Sequence, residues 1–297
     1  MLIILNKRLL KKMKKYFIVS DIHSFYTPLI TALEKKGFDM NNPEHILVVL
    51  GDVFDRGYQS LEVYAFLTIA LPEDRVILVR GNHELLYLDL LRKKFPDSYD
   101  FSNGTVRTFC QIARMEEQLL EPHYWYIKAF RESEDDSLIN IDKYANMPYE
   151  MWAQIKEIVA MHPITKWLQS KQWINYWETD NYIMVHSWIP MIQKWNNGYI
   201  EDVGYRDDWR NATTTEWEDA TWGCPWKKAL DGHNKTGKTI VCGHWHTSDF
   251  FNHLTRQRKG KYECPLFKSK RYKLIGLDAC TVISDKVNVL VLNENEL

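Results

Sequence analysis

The stretch Ile46-Leu47-Val48-Val49-Leu50-Gly51-Asp52-Val53-Phe54-Asp55-Arg56-Gly57 decides how the chain reads. Five consecutive apolar residues predict a buried strand, and Gly51 and Gly57 release the backbone on either side of a tight loop. Two carboxylates and one guanidinium are delivered into that loop from the end of a dry strand. Taken alone, an Asp-Arg pair in a loop is usually an ordinary surface salt bridge. Its repetition along the chain carries the reading.

Upstream, Tyr16-Phe17-Ile18-Val19 predicts a first strand that runs into Ser20-Asp21-Ile22-His23-Ser24. Asp and His two apart lie side by side in an extended turn, a spacing that suits a metal. Thr27-Pro28 predicts the start of a helix, Leu29 to Lys36, that stops at Gly37. Downstream of the anchor stretch a helix is expected from Ser60 to Leu71, then a strand, Arg75 to Val79, then Arg80-Gly81-Asn82-His83-Glu84 and a helix, Leu85 to Leu91. The same event recurs late in the chain, where Tyr182-Ile183-Met184-Val185 ends in His186-Ser187 and Thr239-Ile240-Val241-Cys242 ends in Gly243-His244-Trp245-His246. In open α/β sheets ligands sit beyond the carboxyl ends of the strands, so five such ends would converge on one crevice.

The donors offered there are Asp21, His23, Asp52, Asn82, His186, His244 and His246, all oxygen or nitrogen and none a thiolate. That set suits Mn(II), Fe or Zn(II). Seven donors exceed the four of one structural zinc, which points to two divalent metal ions with a shared carboxylate. Such pairs acidify a water and clamp both oxygens of an in-line displacement, the chemistry of phosphoester hydrolysis.

On these residues the chain resembles the calcineurin-like metallophosphoesterase superfamily, nearest the bacterial and phage phosphoprotein (serine/threonine) phosphatases. Asp21-Ile22-His23, the Gly51 to Gly57 motif, Gly81-Asn82-His83-Glu84, His186 and Gly243-His244 stand in the family's order, and with the closing strands they cover residues 16 to 295. The resemblance implies an α/β (α+β) fold, a four-layer αββα sandwich of two mixed β-sheets. It implies that Asp21, His23 and Asp52 hold one metal and that Asp52, Asn82, His186 and His244 hold the other, with Asp52 the bridge and Mn(II) the preferred ion. It further implies that His83, oriented by Asp55, protonates the leaving alkoxide, and that Arg56, with Asn82, grips the phosphoryl oxygens. A neighbouring carboxylate is expected to raise His83 toward its acid-competent form. Glu84, at the start of a helix, reads as structural.

The chain departs from the family at Ser20 and Ser24, where glycines are favoured, and at Ser187, where Gly or Ala is common. Many relatives carry a second phosphate-binding arginine just after a Trp; here Trp222 is followed by Gly223-Cys224-Pro225-Trp226, leaving Arg210, Lys227 and Lys228 as candidates. Gly243-His244-Trp245-His246 matches the G-H-x-H pattern of the wider superfamily, in which the second His adds a ligand to the first metal.

Lys+Arg 38 against Asp+Glu 39 leaves a formal net charge of −1, so no global field draws the protein onto nucleic acid or membrane. The five cysteines are scattered and lack a C-x-x-C pair, which suits a cytoplasmic protein. Residues 1 to 12 read as a disordered extension ahead of Met13, and 13 to 297 as one domain. A helical insertion is expected from about 95 to 180, with helices at Thr105 to Leu120, Tyr149 to Met161 and Ile164 to about Trp177, and with a solvated acidic loop at Arg131 to Ser137. A Trp-rich loop segment follows at about 188 to 238. Ten of the twelve tryptophans fall between Trp167 and Trp245. They either pack the insertion onto the core or form a stacking wall for a nucleobase or aromatic phosphopeptide. The tail, Lys273 to Ala279 and Lys286 to Leu292, alternates like a hairpin, and Asp278 within it reads as structural.

The function so implied is hydrolysis of phosphomonoesters, of the serine/threonine or tyrosine phosphoprotein phosphatase type, by metal-activated water. Dinucleoside polyphosphate or other nucleotide hydrolysis is the alternative, and a catalytically silent metal-binding scaffold the contrasting class. The substrate would be a phosphorylated protein or a small phosphoester or nucleotide. Retention of His83, Asp55 and Arg56 separates an enzyme from a scaffold.

Overall fold

The computed structural model describes residues 13–121, 123–125, 127–128, 146–196 and 199–297. The expected N-terminal extension and the acidic loop at 131–137 lie outside the described residues. In chain order the strands are β1 (Lys15–Val19), β2 (His45–Leu50), β3 (Val76–Val79), β4 (Trp173–Ile174), β5 (Trp177–Glu178), β6 (Tyr182–Met184), β7 (Met191–Asn196), β8 (Tyr199–Tyr205), β9 (Thr239–Cys242), β10 (Phe267–Ser269), β11 (Leu274–Gly276) and β12 (Leu290–Asn293). One five-stranded sheet has the order β12-β1-β2-β3-β4 and a second the order β10-β11-β9-β6-β5; β7 and β8 form a separate antiparallel ribbon. Both large sheets are mixed: β1, β2, β3 and β4 run parallel with β12 antiparallel at the edge, and β11, β9 and β6 run parallel between antiparallel β10 and β5.

The side-chain period of two divides β2 between two apolar layers. Val48 and Leu50 join Ile18, Val79, Met184 and Val241 in the layer between the sheets. Leu47 and Val49 face the other way, against Leu29 and Leu33 of the helix Tyr26–Lys35 and Val63 of the helix Ser60–Ala65. On the far side, Ile183, Ile240 and Leu274 pack against Trp209, Trp217 and Phe250. Three apolar layers between four layers of structure make an αββα sandwich, the architecture that the resemblance implies. Each fully buried Val or Leu contributes roughly 1.5–3 kcal/mol. A strand apolar on both faces is therefore anchored by both layers, and its carboxyl end is rigid.

Several elements differ from the sequence reading. The first helix is Tyr26–Lys35, with Phe25 at its N-cap, and the second turns π-helical at Phe66–Ala70. The third begins at Asn82 rather than Leu85, which places Asn82, His83 and Glu84 in its first turn. The helix Thr105–Ala113 stops at Arg114, where φ is 56°, ahead of a 3₁₀ turn at Glu117–Leu120. The helix expected from Ile164 to Trp177 ends at Leu168; Trp173–Ile174 pairs with β3 and Trp177–Glu178 with β6. The Trp-rich segment is not loop alone, since it holds the β7–β8 ribbon and the helices Thr214–Ala220 and Pro225–Leu230. Nor is the tail a hairpin: β11 joins the second sheet and β12 the first. Alternation specifies which face of a strand is buried, not which strand lies beside it. Among the described residues no helix is long and apolar enough to cross a membrane.

Candidate metal centre

The turns after β1 and β2 are zipped together through their main chains: Asp21 N donates to Gly51 O (3.2 Å), His23 N to Asp52 O (2.9 Å) and Ser24 N to Val53 O (2.9 Å). This pairing holds six of the residues in question, Asp21, His23, Ser24, Asp52, Asp55 and Arg56, at φ of 49–73°, and His244 at the end of β9 has φ 66°. Left-handed backbone at a non-glycine residue costs on the order of 1–3 kcal/mol and clusters where function demands it. Ser24 thus adopts the conformation a glycine would take more cheaply, and its Oγ bonds Ser60 Oγ (2.8 Å). Gly81 and Gly243 are among the glycines here that leave no room for a Cβ. A Cβ on Gly81 would lie 2.3 Å from Asp52 Oδ1, and one on Gly243 would lie 2.0 Å from Asp21 Oδ2.

Asp52 sits between two groups of donors, one with His23 and His83 and one with His186 and His244. Its Oδ2 is 3.8 Å from His23 Nε2 and 3.9 Å from His83 Nε2, and its Oδ1 is 3.4 Å from His186 Nε2. His186 Nδ1 donates to Leu50 O (2.7 Å). In the neutral ring its Nε2 then carries a lone pair, aimed at Asn82 Oδ1 (2.8 Å) and His244 Nδ1 (3.2 Å). His23 is oriented the same way, its Nδ1 donating to Phe54 O (3.0 Å) and its Nε2 meeting Arg56 Nη1 (3.0 Å). A backbone carbonyl that fixes the tautomer of a ring is the support a metal-ligating histidine has. Asp21 lies outside both groups, but both its oxygens accept from His244 N (3.1 and 3.0 Å), and Ser20 Oγ donates to its Oδ2 (2.5 Å).

The electrostatics fit cations. Burial, then Glu84 beside it, pushes Asp52 well above the usual carboxylate range. Burial raises Asp21 to about 6, with His186 opposing and Asp52 adding to it. Burial first, then Arg56, holds His23 well below its ordinary value, and burial, then His186, does the same to His244. Neutral imidazoles and carboxylates starved of positive charge are what a divalent ion relieves together. The donor set therefore fits two such ions: oxygen and nitrogen donors from separate strand ends converge on either side of Asp52.

His83 Nδ1 donates to Asp55 Oδ2 (2.7 Å), and Arg56 Nη2 reaches His83 Nε2 (3.1 Å). The sequence expectation that a carboxylate raises His83 is corrected here: burial, then Arg56 and His186, hold it well below its ordinary value. Asp55 is pushed up to about 7 by burial, against hydrogen bonds from Thr108 Oγ1 (2.7 Å) and Thr105 Oγ1 (2.9 Å). These two threonines, and Arg107, whose Nη1 donates to Arg56 O (2.7 Å), come from the helix Thr105–Ala113 and were missed in the sequence. Their spacing of i and i+3 on one helix face was the available signal. Glu84 is structural in a way its helix position alone does not reveal. Its carboxylate accepts from Gly81 N (2.7 Å), Asp52 N (3.0 Å) and Val53 N (2.9 Å).

Other candidates fall elsewhere. Arg210 is committed to Glu178 through Nε (2.7 Å) and Nη2 (2.5 Å) and stacks over Trp209 at 4.2 Å, which corrects its assignment to phosphate. Lys228 is held by Asp202. His246 lies outside both donor groups and lines a cavity with His23 and Arg56. Asp278 is buried and accepts from Cys280 N (2.7 Å). Trp167 and Trp173 are buried against each other in the apolar layer that holds Leu47 and Val49, whereas Trp222 is 43 % exposed and stands edge-on to His244 at 5.9 Å.

The family model of the calcineurin-like phosphoesterases matches residues 14–248. The asymmetrical bis(5'-nucleosyl)-tetraphosphatase PrpE of Bacillus subtilis (strain 168) is 39% identical over 74 residues, 23% of this chain and 30% of that one. A symmetrical bis(5'-nucleosyl)-tetraphosphatase of Buchnera aphidicola subsp. Baizongia pistaciae is 41% identical over 73 residues, 25% of this chain and 24% of that one. The chain thus aligns with less than a third of the length of these curated relatives. The solved structure of a cold-active protein tyrosine phosphatase superposes with a TM-score of 0.49 at 17% identity, over 94% of this chain and 74% of that one.

Proposed function

The chain belongs to the calcineurin-like phosphoesterase family, and from that premise we propose that it hydrolyses phosphomonoesters, of the serine/threonine or tyrosine phosphoprotein phosphatase type, at a dinuclear metal centre. Asp21, His23 and Asp52 would hold one ion and Asp52, Asn82, His186 and His244 the other, with His246 a further nitrogen on the His23 side. Mn(II) suits this oxygen- and nitrogen-rich set best, with Fe or Zn(II) next. When bound, such a pair supplies an acidified water and neutralises phosphoryl charge.

The chain's own residues do the rest. Arg56, with planar donors matched to phosphate, takes the phosphoryl oxygens and turns away from the imidazoles it meets at 3.0 and 3.1 Å. Burial and then Arg56 keep His83 deprotonated, and anionic substrate beside Arg56 offsets the second of these, so His83 can carry a proton on Nε2 while Asp55 holds Nδ1. That proton goes to the oxygen leaving from phosphorus. The observation that supports the reading most is the coexistence of converging donors with an intact Asp55–His83–Arg56 chain, since a silent scaffold needs only the first.

A nucleotide substrate is the second reading, favoured by the exposed Trp222 beside His244 and by the tetraphosphatase names of the relatives. The reducing cytoplasm suits the five unpaired thiols.

His83→Asn tests the assignment. Metal content should persist while kcat on alkyl phosphates falls about 100- to 10,000-fold, the usual worth of a positioned acid. The loss should shrink on p-nitrophenyl phosphate, whose leaving group needs little protonation. Equal loss across leaving groups, or loss of a metal, refutes the role.

A further inference from the structure

A cavity of about 510 Å³ opens directly beside the centre, sharing His23 and Arg56 with it, and its volume falls in the range of small-molecule sites. Its walls come from two stretches far apart in sequence, the segment around Phe101 to Arg107 and the segment from Lys261 to Ile283. The charges it presents are uneven. Arg56, Arg107 and Lys261 line it, and among the described residues its one carboxylate is Asp278, which is buried and turned onto Cys280 N. Arg107 is already engaged, with Nε 3.3 Å from Glu117 Oε2, Nη1 on Arg56 O and its guanidinium over the Tyr58 ring at 4.6 Å. Lys261 is exposed, with its Nζ 5.3 Å from the centre of the Tyr262 ring and no carboxylate partner among the described residues.

Resting on the phosphoesterase reading above in its second, nucleotide form, we propose that this cavity receives the leaving group, and that Lys261 is a specificity-determining residue selecting leaving groups that carry further phosphate. A substrate whose reacting phosphoryl group sits at Arg56 would extend any second or third phosphate into this cavity, where Lys261 is the uncommitted cation. Phe101 and Tyr262 supply apolar walls for the rest of such a molecule. A substrate with no anionic group beyond the scissile phosphate would leave Lys261 in solvent and gain nothing from it. Charge at the rim of a site acts mainly through encounter and binding, so the preference belongs in KM rather than kcat.

The test compares the wild type with Lys261→Ala and Lys261→Glu in the presence of Mn(II), on p-nitrophenyl phosphate, ATP, diadenosine tetraphosphate and a phosphoserine peptide flanked by acidic residues. Lys261 is exposed, so both variants should keep the wild-type melting temperature. The expected result is a loss of kcat/KM on ATP and diadenosine tetraphosphate of about 5- to 20-fold for Lys261→Ala and about 20- to 200-fold for Lys261→Glu, carried by KM. p-Nitrophenyl phosphate should change less than about twofold, and the salt dependence of KM for ATP should flatten. Equal changes on all substrates, or none, overturn the subsite while leaving the phosphoesterase reading standing. A loss confined to the acidic phosphopeptide overturns the choice of leaving group. No hydrolysis of any of the four by the wild type overturns the phosphoesterase reading and this proposal with it.

Discussion

Removing the Glu84 carboxylate should unfasten the turn that carries Asp52. Glu84 is 1% exposed, and its two oxygens accept three main-chain N–H groups, from Gly81, Asp52 and Val53. Glu84→Ala leaves three buried donors without an acceptor, at about 1–3 kcal/mol each. Relief of a buried charge repelled by Asp52 offsets part of this, so the net loss should be about 3–5 kcal/mol. For a chain of this size that lowers Tm by roughly 6–20 °C. Glu84→Gln keeps one carbonyl oxygen but sets an amide NH₂ against the third donor, for a smaller loss of about 1–3 kcal/mol. If Glu84 served only the dipole of the helix Asn82–Leu90, either change would cost about 0.3–1 kcal/mol. Thermal unfolding of the metal-free protein by circular dichroism separates the two cases. Calorimetric titration with Mn(II) should show weakened binding as well, because Asp52 at φ 55° depends on the clamped turn. A Glu84→Ala protein melting within 2 °C of the wild type would refute the clamp.

Three further outcomes follow from the same geometry. Asp52→Asn should release metal from both donor groups, because a neutral amide bridges poorly; elemental analysis finding two ions per chain at unchanged affinity would count against Asp52 as the shared ligand. The metal-free protein should lose stability between pH 6.5 and 8. Asp55 and Asp278 are pushed up to about 7 by burial, so the folded state keeps protons that the unfolded chain has released; their stabilisation is full below about pH 4 and is lost as pH rises through 7. His23, His83 and His244, held low, act oppositely as the unfolded chain protonates its own around pH 6.5 and offset part of the loss, while Asp52, pushed well above its ordinary range by burial, adds to it. The loss over that window should be roughly 1–3 kcal/mol and should vanish with saturating Mn(II); a metal-free Tm that rises from pH 6.5 to 8 would contradict it. Trp222→Ala should leave Tm nearly unchanged yet raise KM several-fold on substrates with an aromatic leaving group, since stacking is worth about 1–3 kcal/mol. Equal KM shifts for aryl and alkyl phosphates would show that the exposed ring does not touch the leaving group.

By itself the sequence determined the strand ends and the donors they carry. An apolar run, a glycine and a polar cluster are local statements, legible without knowing what lies beside them; five of them implied the crevice, and the family resemblance they carry implied the sandwich. Helix boundaries were legible only to within a few residues, and those of the third helix matter, because they put Asn82 and His83 in a first turn. What tertiary structure alone decided was partnership. Alternation in the tail marked two strands, but only pairing placed Leu274–Gly276 and Leu290–Asn293 in different sheets. The apolar pair Trp173 and Ile174 likewise suited a helix until the open edge of Val76–Val79 offered them hydrogen bonds. The supports of the centre are of the same kind. Thr105 and Thr108 reach Asp55 across 50 and 53 residues, His186 Nδ1 reaches Leu50 O across 136, and Thr281 Oγ1 reaches Asp21 O across 260. Periodicity encodes which face of a segment leaves water. Which acceptor a buried donor will find there depends on chain that folds against it from elsewhere, and no local pattern carries that information.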